Sequence, residues 1–244
     1  VKILAWDIER VPNLIWDWKV WGDRYIPPER MELRGQVLCV GAKWLGSKRF
    51  HWFSTQDREA MLQGVWDLIN EADALLSWNG KNFDTRHMNT EFLFAGMTPP
   101  SASVEIDLMR AGKRRFALPY NKLDYVARAL GLPGKVQHEG WEMWKGCMEN
   151  DPAAWRKMRR YNRRDVLVLE ELHGLLLPWI PSYPNRALYD HTEGTCPRCG
   201  SRNLQRRGFA VTTVSRFQRW ACQDCGGWSR SAAREAGTDL RGVA

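Results

Sequence analysis

Three short stretches carry carboxylates at spacings that could do chemistry. The first is Asp7-Ile8-Glu9, closing the apolar run VKILAWDI. On a β-strand Asp7 and Glu9 would point to the same face, because side chains alternate. Two adjacent carboxylates repel unless a cation joins them, and oxygen ligands suit Mg²⁺ or Mn²⁺. Two solvated acids on an exposed strand end is the competing reading. The second stretch, NGKNFD, runs from Asn79 to Asp84. Asp84 opens a helical pattern, where an acid can instead serve the N-terminal dipole. Asn79 could bond a substrate or shape the turn. The third, MRRYNRRDVLVLEEL (158–172), sets Tyr161 and Asp165 four residues apart, on one face of a helix. Its arginines 159, 160, 163 and 164 could be a solvated face paired with Asp165, or could meet phosphates.

A fourth feature is a pair of CxxC knuckles, Cys196/Cys199 and Cys222/Cys225, with 22 residues between the inner cysteines. Two knuckles with hairpin-like runs between them (203–211 and 216–222) fit one tetrahedral, structural Zn²⁺ better than a redox pair. In so small a module the metal would supply most of the folding energy. Cys39 and Cys147 lie in apolar surroundings and read as buried thiols.

The elements that must position these residues follow from periodicity. Residues 1–8, 36–46, 48–53, 74–78 and 103–109 read as strands. Residues 56–72, 79–96, 122–132 and 152–177 read as helices, the first capped by Thr55 and the last stopped by Pro178 and Pro181. Strands first, then alternation, then helices, predicts an α/β domain with a mixed sheet. The predicted boundaries are a catalytic domain at 1–180, a linker at 181–193, the zinc module at 194–230 and a flexible tail at 231–244. Asp107 is an acid inside an apolar strand, open to a place near the metal site or to a hydrogen-bonded structural role. His87 and His138 show no partner in the sequence and read as structural. Trp16, Trp18 and Trp21 could stack on unpaired bases, but packing on a sheet face is the favoured reading.

The chain of 244 residues has a formal net charge of +8 and 44% hydrophobic residues. From His191 onward nine arginines face four acids, a balance of +5, against +3 for the rest of the chain. Such an excess suits nucleic acid. No apolar run reaches the roughly 18 residues of a membrane span, and the opening residues read as a strand rather than a secretion signal. The expected setting is a cytosol.

Taken in order, the DxE of Asp7–Glu9, the NxxxFD of Asn79–Asp84 and the YxxxD of Tyr161–Asp165 resemble the three motifs of the DEDD 3′–5′ exonucleases. Those enzymes have the DnaQ-like, RNase H-like fold. Tyrosine, where a sister branch has histidine, marks the DEDDy form. NKLDYVARALG (121–131) resembles the segment between the last two motifs. The resemblance covers about residues 1–177 and is nearest to YprB-like proteins of bacteria and their phages. One departure is Arg10, where the branch often has threonine or serine.

The resemblance implies that Asp7 bridges two Mg²⁺ or Mn²⁺ ions. Glu9 and Asp165 would hold the ion that activates water, and Asp84 the other, through water. Tyr161 would position the attacking water. Asn79, Arg160 and Arg164 are candidate substrate contacts. The expected activity is removal of nucleotides from a single-stranded 3′ end, with DNA preferred. An RNase, a structure-specific endonuclease, or an inactive nucleic-acid-binding module are the alternatives. The C-terminal cysteine module resembles a zinc ribbon, which could contact nucleic acid or a protein partner.

Overall fold

Alternation along the first apolar run decides which side of the sheet each residue serves. The computed structural model describes residues 1–18, 21, 25–134 and 140–242; His138 lies outside them. The run forms β1 (Ile3–Arg10). A short antiparallel pair follows, β2 (Leu14–Ile15) with β3 (Met31–Leu33). Then come β4 (Val37–Trp44), β5 (Phe50–Ser54), α1 (Arg58–Glu71), β6 (Ala74–Ser77), α2 (Asp84–Phe94) and β7 (Val104–Asp107). The helices α3 (Leu108–Arg115), α4 (Leu123–Ala129), α5 (Trp141–Met148) and α6 (Pro152–Leu176) complete the domain.

Five strands pair in the order β5-β4-β1-β6-β7. The β5–β4–β1 side is antiparallel and the β1–β6–β7 side parallel. The sheet is therefore mixed, as the element order predicts. β1 is central and packed on both faces. Ile3 and Ala5 meet Val166, Leu169 and Leu172 of α6. Leu4, Trp6 and Ile8 meet Met61 and Val65 of α1 and Met88 and Phe92 of α2. Asp7 and Glu9 continue the first set, so both carboxylates emerge on the α6 side.

α6 begins where Asp151 accepts hydrogen bonds from the amides of Ala153 and Ala154, at 2.9 and 3.2 Å, with Pro152 in the first turn. Those bonds satisfy amides that a helix start leaves without intrahelical partners. The cap of α1 is Asp57, not Thr55: its carboxylate accepts from Ala60 N at 3.0 Å, while Thr55 opens a preceding 3₁₀ turn. The sequence reading passed over α3, whose buried stripe of Leu108, Ala111 and Gly112 offers only one large apolar side chain. Asp107 ends β7 and caps that helix, accepting from Arg110 N at 3.1 Å.

The C-terminal module is a separate sheet of β8 (Leu204–Val211), β9 (Ser215–Cys222), β10 (Trp228–Arg230) and β11 (Ala236–Gly237). β11 lies in the segment expected to be a flexible tail. Its backbone instead pairs with Ser215 and Arg216 of β9, and Thr238 N donates to Val214 O at 3.1 Å. The linker carries one turn of helix, α7 (Arg186–Tyr189). Arg198 Nη1 reaches back to the carbonyls of Leu177 and Ile180, and Arg186 N donates to Pro197 O at 2.8 Å. The Arg198 side chain therefore ties the module to the turn after α6, and the Arg186 amide ties it to the linker. Among the described residues no helix is long and apolar enough to cross a membrane.

Gly41 of β4 sits opposite Asp7 of β1. A Cβ there would collide with Asn162 Oδ1 and with the Phe50 ring. Gly41→Ala is expected to lower stability by ~1–3 kcal/mol, the usual cost of overpacking. The readout is a lower urea midpoint at unchanged slope; an unmoved midpoint would refute this packing.

Candidate functional site

β1 and α6 bring three carboxylates together. One oxygen each of Asp7, Glu9 and Asp165 lies within 4.8 Å of the others. Asp165 is buried, and Asp7 and Glu9 are half-buried at the strand end. Tyr161 stands one turn before Asp165 on the buried face of α6 and packs edge-on against Trp144 of α5, with ring centroids 5.9 Å apart. Such a cluster of hard oxygens fits divalent Mg²⁺ or Mn²⁺ in its donor chemistry.

Asp84 reaches the same strand by another route. β6 pairs with β1 only over Ile3–Ala5, so it does not use the amide of Ile8. That amide donates to Asp84 Oδ1 at 3.0 Å. Asp84 is not part of the three-oxygen set. It lines an adjoining cleft of about 460 Å³ together with Asp7, Asn79 and Phe83. Burial pushes its carboxyl up to about 7, with the neighbouring acids Asp107 and Glu105 adding to the rise and the Ile8 amide opposing it.

The loop between β6 and α2 explains Asn79. Its φ is +69°, a left-handed conformation that asparagine tolerates better than most residues. Its amide donates to Asp107 Oδ1 at 3.0 Å, and its carbonyl accepts from Asn82 and Phe83 at 3.0 and 3.1 Å. Asn79 thus shapes the turn, and it also faces the cleft. One oxygen of Asp107 therefore serves a structural role, holding this turn and the start of α3. His87 packs edge-on against Phe83 at 4.6 Å, in keeping with a structural histidine.

The two candidate arginines part company. Arg164 forms a bidentate pair with Glu171, at 3.0 and 3.3 Å, and donates to Pro133 O at 2.6 Å. Those bonds make it a tie between α6 and the loop after α4. Arg160 projects from the exposed side of α6, away from the face that bears Asp165. Arg10, the departure in the first motif, donates to Asn13 Oδ1 at 3.3 Å and Gly35 O at 3.1 Å and so braces the neighbouring loop.

One residue escaped the sequence reading. Asn162, fully buried, donates from Nδ2 to Asp7 Oδ2 at 2.9 Å and to Asp7 O at 3.1 Å. It lies over Gly41, where the missing side chain gives it room. A polar residue on the apolar face of α6, one place after Tyr161, was the signal that could have found it. The tryptophan reading is also corrected. Trp16, Trp18 and Trp21 are 71%, 89% and 91% exposed, because the β2–β3 pair stands apart from the main sheet. Cys39 and Cys147 are buried, and burial raises both thiols, Cys147 to about 11, as expected of inert cysteines.

In the C-terminal module all four cysteine Sγ atoms lie within 4.8 Å of one another. Cys196 Sγ is 3.7 Å from that of Cys225, and Cys199 Sγ is 3.5 Å from that of Cys222. A disulfide needs about 2 Å, whereas four thiolates at about 2.3 Å from a tetrahedral Zn²⁺ stand about 3.8 Å apart. Each knuckle closes on a left-handed glycine, Gly200 at φ +80° and Gly226 at φ +72°. The geometry is consistent with a zinc module.

A mixed sheet with a carboxylate cluster at the end of its central strand, covered by a long C-terminal helix, defines the RNase H-like class. Residues 32–177 match the model of the RNase H superfamily, and the chain belongs to that superfamily. The matched segment takes in Asp84, Tyr161 and Asp165 and begins after β1. Among solved structures the chain is similar to the family B DNA polymerase of the hyperthermophilic archaeon Pyrobaculum calidifontis, at 22% identity and TM-score 0.53. The likeness covers 72% of this chain and 24% of that one, and it concerns the fold. No curated protein matches the chain.

The Asp84 shift gives a stability test. An aspartate whose folded value, about 7, lies above its ordinary value near 3.8 binds its proton more tightly folded than unfolded. Its contribution to stability is therefore full below about 4 and lost as pH rises through about 7. Without divalent metal, the melting temperature of wild type relative to Asp84→Asn should fall between pH 5 and 8. A difference that stays flat across this range would refute the shift.

Proposed function

We propose that the chain is a metal-dependent 3′–5′ exonuclease of the DEDDy type, acting on a single-stranded 3′ end, with DNA preferred. The observation that carries this reading is the convergence of Asp7, Glu9 and Asp165 within 4.8 Å, with Tyr161 one turn away on the same helix. RNase H superfamily membership supports a nucleic-acid substrate. Asp7, Glu9 and Asp165 would hold divalent ions from the α6 side, and Asp84 would contribute from the cleft. When bound, two such ions supply charge neutralisation and Lewis acidity for phosphodiester hydrolysis. Tyr161 would orient the attacking water; an ordinary phenol pKa near 10 makes it a poor base at neutral pH. Asn162 would keep Asp7 turned toward the cluster. Residues 1–180 would form the catalytic unit, and the module after the linker would hold one structural Zn²⁺.

The test is a gel assay on 5′-labelled single-stranded DNA and RNA, with Mg²⁺, Mn²⁺ or EDTA. The expected result is a metal-dependent ladder shortening from the 3′ end, faster on DNA and absent in Asp7→Ala. Internal cuts would favour an endonuclease, faster RNA decay a ribonuclease, and no cleavage with retained binding would refute the catalytic reading. Asn162→Ala is expected to lower activity roughly 10–100-fold, the usual effect of removing a residue that orients a metal ligand. Full activity in that variant would remove Asn162 from the account.

A further inference from the structure

The outer face of α6 carries a second feature that the carboxylate site does not use. Arg156, Arg159, Arg160 and Arg163 recur at three- and four-residue steps, so they form one row along the exposed side of the helix. From Arg156 to Arg163 the row spans about 10 Å at the ordinary helical rise. With Lys48, just before β5, and Lys157 they line an open trough of about 750 Å³. Among the described residues the remaining lining is Phe50 and Ala153, neither of them acidic. Among the described residues, Arg156, Arg159 and Arg160 make no ion pair with a carboxylate. Arg163 stacks its guanidinium over the Phe50 ring at 5.8 Å.

We infer that this trough is a binding track for the phosphate backbone of a nucleic-acid chain, distinct from the carboxylate cluster. The four arginines, with Lys48 beside them, are like charges brought close together and repel one another, and a polyanion relieves that cost while releasing its own counterions. A single phosphate would engage one or two of these cations; a row about 10 Å long matches a run of phosphates better. Phe50, capped by Arg163, adds an aromatic surface of the kind that unpaired bases stack on. The trough also adjoins the catalytic region: Phe50 packs over Gly41, the same glycine that Asn162 covers while holding Asp7. One ring thus separates the track from the support of the first carboxylate. The inference rests on the nuclease reading only for the chemical identity of the polymer.

The experiment is fluorescence anisotropy of a labelled oligodeoxythymidylate with the full chain in EDTA, where cleavage plays no part, over a salt series. In Arg156→Gln/Arg159→Gln/Arg163→Gln, affinity is expected to fall roughly tenfold or more at low salt, and the slope of log affinity on log salt to shrink by about 2, for three lost phosphate contacts. The matching Arg→Lys triple variant, which keeps the charge, should regain most of the affinity. Wild-type affinity in the glutamine variant, or no rescue by lysine, would overturn the track. Equally tight binding of a labelled polyglutamate peptide to wild type would overturn its assignment to nucleic acid. Because binding is read without metal, a catalytically dead chain that still binds through these arginines would leave the track standing and remove only the nuclease reading.

Discussion

The structure depends on the mutual repulsion of three carboxylates. With one oxygen of each within 4.8 Å of the others, each ionised pair costs at least about 3 kcal/mol at an effective dielectric of about 20. Such a cluster persists in a fold only when cations or protons offset it. Its positions are set by one strand and one helix. β1 is the central strand, fixed by neighbours on both edges, and α6 is the longest helix among the described residues. Gly41 opens the space, and Asn162 crosses from α6 to fix Asp7. The burial of Asp84 belongs to the same pattern, a carboxyl whose ionisation the metal-free fold resists.

Around this anionic centre the surface is basic. The arginine row of α6 and the C-terminal module carry much of the excess of +8. In the module the arginines sit over aromatic rings: Arg206 over Trp220, Arg216 over Phe209, Arg219 over Trp228 and Arg230 over Phe217. Stacked guanidinium groups keep their charge while covering apolar surface. An acidic site inside a basic surface suits a polyanionic substrate, since the outer charge gathers the chain that the inner carboxylates alone would repel.

Much of this was legible in the residues. Period-two alternation in VKILAWDI put Asp7 and Glu9 on one face, and i,i+4 spacing paired Tyr161 with Asp165. The CxxC spacing drew the four sulfurs together. What escaped depended on contacts distant in sequence. Asn162 looks like one polar residue among arginines until Gly41, far earlier in the chain, is seen beneath it. Arg164 resembles its neighbours until Glu171 and Pro133 are found holding it. The thin buried stripe of α3 hid a helix fixed by its Asp107 cap. β11 is too short to show a pattern and exists because β9 offers an edge.

The central claim is that the carboxylates form a divalent-metal centre. Titration of the full chain with Mn²⁺, followed by electron paramagnetic resonance of the free ion, tests it most directly. The account expects saturable binding that Mg²⁺ displaces and that Asp7→Asn severely weakens, while the metal content of the four-cysteine module is the same in both proteins. Mn²⁺ binding that is absent, or equally strong in Asp7→Asn, would contradict it.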